Sequence, residues 1–109
     1  MSNTGDLEKS AYLAQLFDLY KNGLTEKQKT YFEYYFFDDL TMQEIADEFG
    51  ISRAGVMDGL KKACDYLQTS ENNFNMYKQN QKIREHLASF ETNEIDAKEL
   101  VSLIEKDLM

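Results

Sequence analysis

The chain has 109 residues, 42% hydrophobic and 13% aromatic, with 20 acidic against 12 basic side chains and a net charge of −8. That length supports one modest core, so a single domain over residues 1–109 is expected, and one cysteine, Cys64, rules out an intrachain disulfide or a zinc-finger set. No apolar stretch has signal-peptide or membrane-spanning form, so no membrane insertion and a soluble cytoplasmic protein are expected.

Absence of proline and only five glycines suit uninterrupted helices joined by short turns, and the fold class expected is all-α. The first helix is expected over about residues 7–21, with Leu13, Phe17, Tyr20 and Leu24 on one side and Asn22-Gly23 as its stop. Thr25 and Gln28 have the spacing of a capping box before the aromatic run Tyr31 to Phe37, which places a second helix from Glu26 to Phe37. Within that run Phe32, Tyr35 and Phe36 share a face suited to the core. Tyr31 and Tyr34 lie on another face, suited to an exposed contact or to packing on the N-terminal helix.

The most informative stretch runs from Leu40 to Val56. Thr41 caps a helix over Met42 to Phe49 with Glu44 as its capping-box partner, and Leu40 and Ile45 stand at hydrophobic-staple spacing. Gly50 ends that helix, Ser52 caps the next, and Ile51 and Val56 repeat the staple. Val56, Leu60, Ala63 and Leu67 then recur at four-, three- and four-residue intervals, giving a helix from Arg53 to Leu67. Two helices joined by so short a turn form a helix-turn-helix, a unit that normally places its second helix in a DNA major groove.

After a polar break over Gln68 to Asn73, a fifth helix is expected from Phe74 to Phe90, with Met76, Ile83, Leu87 and Phe90 on one face interrupted by Asn80. Asp96 and Glu99 offer a capping box for a short sixth helix starting near Ala97. The helix-turn-helix core thus spans about residues 24–67, with a C-terminal helical extension over about 71–109.

Leu24-Thr25, Lys27-Gln28, Asp38-Asp39-Leu40-Thr41, Glu44-Ile45-Ala46, Gly50-Ile51-Ser52-Arg53, Val56, Leu60, Ala63 and Leu67 resemble the fourth conserved region of bacterial sigma factors, a helix-turn-helix unrelated to winged helices. The whole chain, with its N-terminal helix and Tyr/Phe-rich second helix, resembles the YlxM family, small bacterial proteins encoded beside signal recognition particle genes. The resemblance implies a helical bundle and a regulatory role in the signal recognition particle pathway. Sigma-like sequences carry basic or long polar side chains where this chain has Gly55, Met57, Gly59 and Cys64, and only Arg53 and Lys62 keep their charge.

Charge opposes the DNA reading, because phosphate neutralisation supplies most non-specific affinity for duplex. Residues 24–67 hold five basic against nine acidic side chains. Contact therefore falls to a local patch: Ser52, Arg53, Met57, Lys61 and Lys62 on the second motif helix, and Lys27 and Lys29 at the start of the helix before the motif. Asp58 on the same side would repel phosphate, while Gly55 and Gly59 make a small-residue face suited to close approach. One short acidic module would bind weakly, and the apolar positions of the fifth and N-terminal helices exceed what one small core can hide, so a homodimer is expected, using part of the fifth helix with or without the N-terminal helix.

The remaining residues point to no chemistry. His86 is the sole histidine and stands at no metal-ligand spacing, so neither metal nor cofactor is expected. No nucleophile stands with a base and no glycine loop would cradle phosphate, so the chain is not read as an enzyme. Cys64 is read as a half-buried residue beside the core stripe. Lys78, Lys82 and Arg84 form a modest basic surface with two readings, a contact for RNA or an acidic protein and a solvated face balanced by Glu71 and Glu85. Two function classes remain: a DNA-binding regulator, and a helix-turn-helix scaffold that contacts RNA or protein components of the signal recognition particle.

Overall fold

Among the residues it describes, 4–108, the computed structural model consists of helices and short connections, with no strand. Six α-helices follow in order: α1 Thr4–Tyr20, α2 Glu26–Phe32, α3 Met42–Phe49, α4 Arg53–Phe74, α5 Met76–Glu91 and α6 Ala97–Leu108. Backbone contacts divide the chain into two compact units, Met1–Asn73 and Phe74–Met109.

In the first unit the expected caps are formed. Thr25 Oγ1 accepts from the Gln28 N–H at 3.1 Å while the Thr25 N–H donates to Gln28 Oε1 at 2.9 Å, and Thr41 and Glu44 repeat the exchange with the same two distances. Each box satisfies two of the donors that a helix start leaves unpaired. The connection between α1 and α2 holds a short 3-10 turn, Lys21–Gly23. A Cβ on Gly23 would overlap the Tyr66 hydroxyl, so close approach of that ring is the physical demand on this glycine.

The aromatic run departs from the regular helix expected of it. α2 stops at Phe32 and continues as a π turn, Glu33–Phe37, closed by the Asp38 N–H donating to Glu33 O at 3.0 Å. A π turn carries more residues per revolution than an α-helix, so the side-chain phase shifts. Phe36 stacks on Phe32 with centroids 4.4 Å apart, and Phe37 also meets Phe32 edge-on at 5.8 Å. Tyr35, expected in the core, is turned outward instead. Phe17 of α1 lies parallel to Phe32 at 4.5 Å, which fixes α1 to α2.

Tyr31 corrects the sequence reading in the opposite direction. It is buried with Ile45, Ala46, Val56 and Leu60, its ring edge-on to Phe49 at 5.0 Å, and the site of a Cβ on Gly59 lies 2.8 Å from two of its ring carbons. The small residue on α4 therefore admits a tyrosine of the same domain.

The break expected over Gln68 to Asn73 is helical, because α4 runs on to Phe74. Its inward stripe continues past Leu67 as Ser70 and Glu71, both buried. The Tyr20 hydroxyl donates to Glu71 Oε1 at 2.8 Å, and Gln68 Nε2 donates to Asn72 Oδ1 at 3.0 Å. Glu71, read as a solvated counter-charge, is thus a tether between α1 and the last turns of α4. The chain leaves the helix one turn later, at Asn75, whose φ of 55° is a left-handed conformation that asparagine tolerates better than most residues.

The second unit is an antiparallel hairpin of α5 and α6. Asn93 takes the left-handed conformation after α5, and the Glu94 N–H donates back to Ser89 O at 2.9 Å, closing the turn. α6 starts at Ala97, where Asp96 Oδ1 accepts from the Glu99 N–H at 2.8 Å. Gln79 Nε2 donates to Asp107 O at 2.7 Å, and His86 Nε2 lies 2.7 Å from Asp107 Oδ2, so the start and middle of α5 hold the end of α6.

Candidate nucleic-acid interface

The interface candidate is built by the three residues between α3 and α4. Gly50 sits at φ 64° and ψ 35°, a region open to glycine at little steric cost, and the Gly50 and Ile51 N–H groups both donate to Ala46 O. Ser52 then caps α4, its Oγ accepting from the Gly55 N–H at 3.0 Å. These bonds fix the direction in which α4 leaves the turn. Ile45, Ala46, Val56 and Leu60 bury the inner sides of both helices in one cluster.

With Val56, Leu60 and Ala63 inward, the first three turns of α4 present Ala54, Met57, Asp58 and Lys61 outward. Met57 is 50% exposed. Arg53 is exposed but stands at the edge of this face, bordering a depression of about 840 Å³ that it shares with Tyr35, Asp39, Leu40 and Met42. The face is shallow near Gly55, whose position offers no side chain.

The structure places Arg53, Met57, Lys61 and Lys62 on the first three turns of α4 with Ser52 as its cap, but it does not leave all the charges equally available. Lys62 Nζ pairs with Asp58 Oδ2 at 3.0 Å, one turn back. An exposed pair of this spacing contributes only about 0.3–0.5 kcal/mol, so a phosphate can compete for the ammonium. Lys27 and Lys29 stand on α2, where Lys29 pairs with Glu26 at 3.3 Å and Lys27 is exposed. Lys61 is exposed and has no ion pair among the described residues.

The structure gathers acidic residues from the end of the aromatic run and from α3. Asp38, Glu44, Asp47 and Glu48 line one depression of about 640 Å³ with Tyr34 and Leu40. Glu44, Asp47 and Glu48 share a helix face by their spacing, and Asp38, which follows the π turn, joins them. In a helix-turn-helix the first helix crosses the phosphate backbone, so an acidic α3 face works against duplex binding.

Cys64 is half-buried among Lys9, Leu13, Phe36 and Gln68. Burial pushes its thiol up, Asp65 adds to the shift, and Lys9 opposes it. Among the described residues no helix is long and apolar enough to cross a membrane, and no three His, Cys, Asp or Glu side chains are placed to hold a metal ion.

A family model described as "Putative helix-turn-helix protein, YlxM / p13 like" matches residues 7–107. A UPF0122 protein of Mycoplasma capricolum is 38% identical over 100 residues, covering 92% of this chain and 88% of its own length. A UPF0122 protein of Streptococcus pyogenes serotype M6 is 44% identical over 75 residues, covering 69% of this chain and 66% of its own. With the α3–turn–α4 geometry and a match spanning both units, the chain belongs to the YlxM / p13-like helix-turn-helix family.

Proposed function

We propose that the protein is a cytoplasmic DNA-binding regulator that sets the first three turns of α4 into a duplex major groove, acts as a homodimer, and serves the signal recognition particle pathway that its family resemblance implies. The observation that carries this reading is the doubly capped turn from Gly50 to Ser52, which rigidly presents an outward α4 face bearing Met57 and Lys61 with Arg53 at its edge. In this reading Lys61 and Lys62 hold phosphate, and Arg53 meets a base edge at the helix start. Asp58 weakens binding by holding Lys62 and by repelling phosphate.

Duplex binding followed by fluorescence polarisation over a salt series tests the assignment. Lys61→Ala is expected to weaken all duplexes alike and to lower the log–log salt slope by about 0.9, the value of one phosphate contact. Arg53→Ala is expected to reduce discrimination between sequences. Asp58→Asn, by contrast, is expected to tighten binding. Unchanged affinity in both Lys61→Ala and Asp58→Asn would refute the α4 interface. A second reading, in which the domain contacts RNA or protein components of the signal recognition particle, is favoured by the acidic depression along α3. It predicts no salt-sensitive duplex binding even at low ionic strength, together with measurable binding to such a component.

A further inference from the structure

We infer that the α5–α6 hairpin is the dimerisation element, pairing with the same hairpin of a second copy as a four-helix bundle; the inference rests on the homodimer reading above and gives it a surface. The first observation is that neither α5 nor α6 contains a buried residue. Two helices with no enclosed side chain lack the core that normally stabilises short helices in water, and a second pair of helices supplies it.

The second observation is where the apolar side chains lie. On α5, Met76, Asn80, Ile83, Leu87 and Phe90 recur at alternating four- and three-residue intervals, the spacing of a packing seam. On α6, Ala97, Val101, Ile104 and Leu108 do the same. The side chains that join the two helices, Gln79 and His86 on α5 and Asp107 on α6, occupy neighbouring faces. In each helix the seam is displaced from that joining face in the same rotational sense. Because the helices run antiparallel, equal rotations carry both seams to the same side of the hairpin.

Area decides the occupant. Met76, Leu87, Phe90, Val101 and Leu108 are 42%, 41%, 39%, 55% and 61% exposed. Five large side chains left about half exposed offer on the order of 450 Å² of apolar surface. That equals the apolar share of the roughly 800 Å² that each partner buries in a stable pair. The charges are also self-complementary, since α5 has a net charge of +1 and α6 of −1. A two-fold axis that lays α5 of one copy along α6 of the other pairs them twice. Asn80, the one polar residue in the α5 seam, then fixes register, as a lone asparagine does in helical bundles.

Sedimentation equilibrium of the full chain at about 50 µM, a range in which a micromolar dimer is well populated, tests this. The wild type is expected at the mass of two chains. The Leu87→Glu/Val101→Glu double variant is expected at the mass of one, its dissociation constant raised by at least ~100-fold with helicity unchanged by circular dichroism. If that variant loses helicity, Leu108→Glu, at the most exposed of the five positions, is expected to dissociate the dimer in the same way. A monomeric wild type would remove the homodimer itself. A dimer that withstands both variants would keep the homodimer and overturn this surface.

Discussion

Gly55 and Gly59 stand one turn apart on α4 and should respond to alanine with opposite signs. Alanine in place of glycine favours a helix by up to about 1 kcal/mol, and the gain is smaller near a helix end. At Gly55 the new Cβ would lie 3.3 Å from Ser52 Oγ and 3.6 Å from Ile51 Cδ1, both exposed groups able to yield by a few tenths of an ångström. Gly55→Ala is therefore expected to stabilise the protein by about 0.5 kcal/mol. At Gly59 the Cβ would come within 2.8 Å of Tyr31 Cδ2 and Cε2, and that ring cannot swing aside because it is buried and held edge-on against Phe49. Overpacking of this kind costs about 1–3 kcal/mol, which exceeds the propensity gain, so Gly59→Ala should destabilise by up to about 2 kcal/mol. Urea unfolding of the two variants beside wild type measures both changes. Equal stabilisation by the two substitutions would refute the placement of Tyr31 against α4, and with it the account of why α4 carries a glycine there.

Tyr20→Phe removes the hydroxyl that donates to the buried Glu71 carboxylate at 2.8 Å, and is expected to cost about 1–3 kcal/mol in the same unfolding assay. Conversion of both residues in Tyr20→Phe/Glu71→Leu should cost less than the sum of the two single changes, because both single changes remove the same shared hydrogen bond. Cys64 should react with an aromatic disulfide reagent more slowly than free cysteine at pH 8, since burial first and Asp65 second hold its thiol protonated. The folded thiol keeps its proton above the value at which the unfolded chain releases it. Stability from this group is therefore present below the ordinary thiol range and falls as pH rises through it, which urea midpoints from pH 7 to 10 will show.

Local signals were sufficient for most of the helix boundaries. Thr25-Gln28, Thr41-Glu44, Gly50 and Ser52 each act within four residues, so the capping boxes and the turn between α3 and α4 are legible without tertiary information. The periodic stripe Val56, Leu60, Ala63 and Leu67 likewise named the buried side of α4. The same locality made the outward side legible, and with it the run of candidate contacts from Ser52 to Lys62.

What the sequence left open depended on side chains far apart in the chain. The aromatic run has no local cue for a π turn; stacking of Phe17 and Phe36 on Phe32, with Phe37 against both Phe17 and Phe32, accompanies a phase shift that a single periodicity cannot express. Gln68 to Asn73 read as a polar break because composition counts Glu71 as solvated, whereas Tyr20, 51 residues away, gives it a buried partner. The spacing of Gly59 from Gly55 suggests an external docking face, whereas the Tyr31 ring occupies the space at Gly59. In each case burial of a polar or bulky group is favourable only when a specific distant partner arrives, and that partner is supplied by the tertiary fold alone.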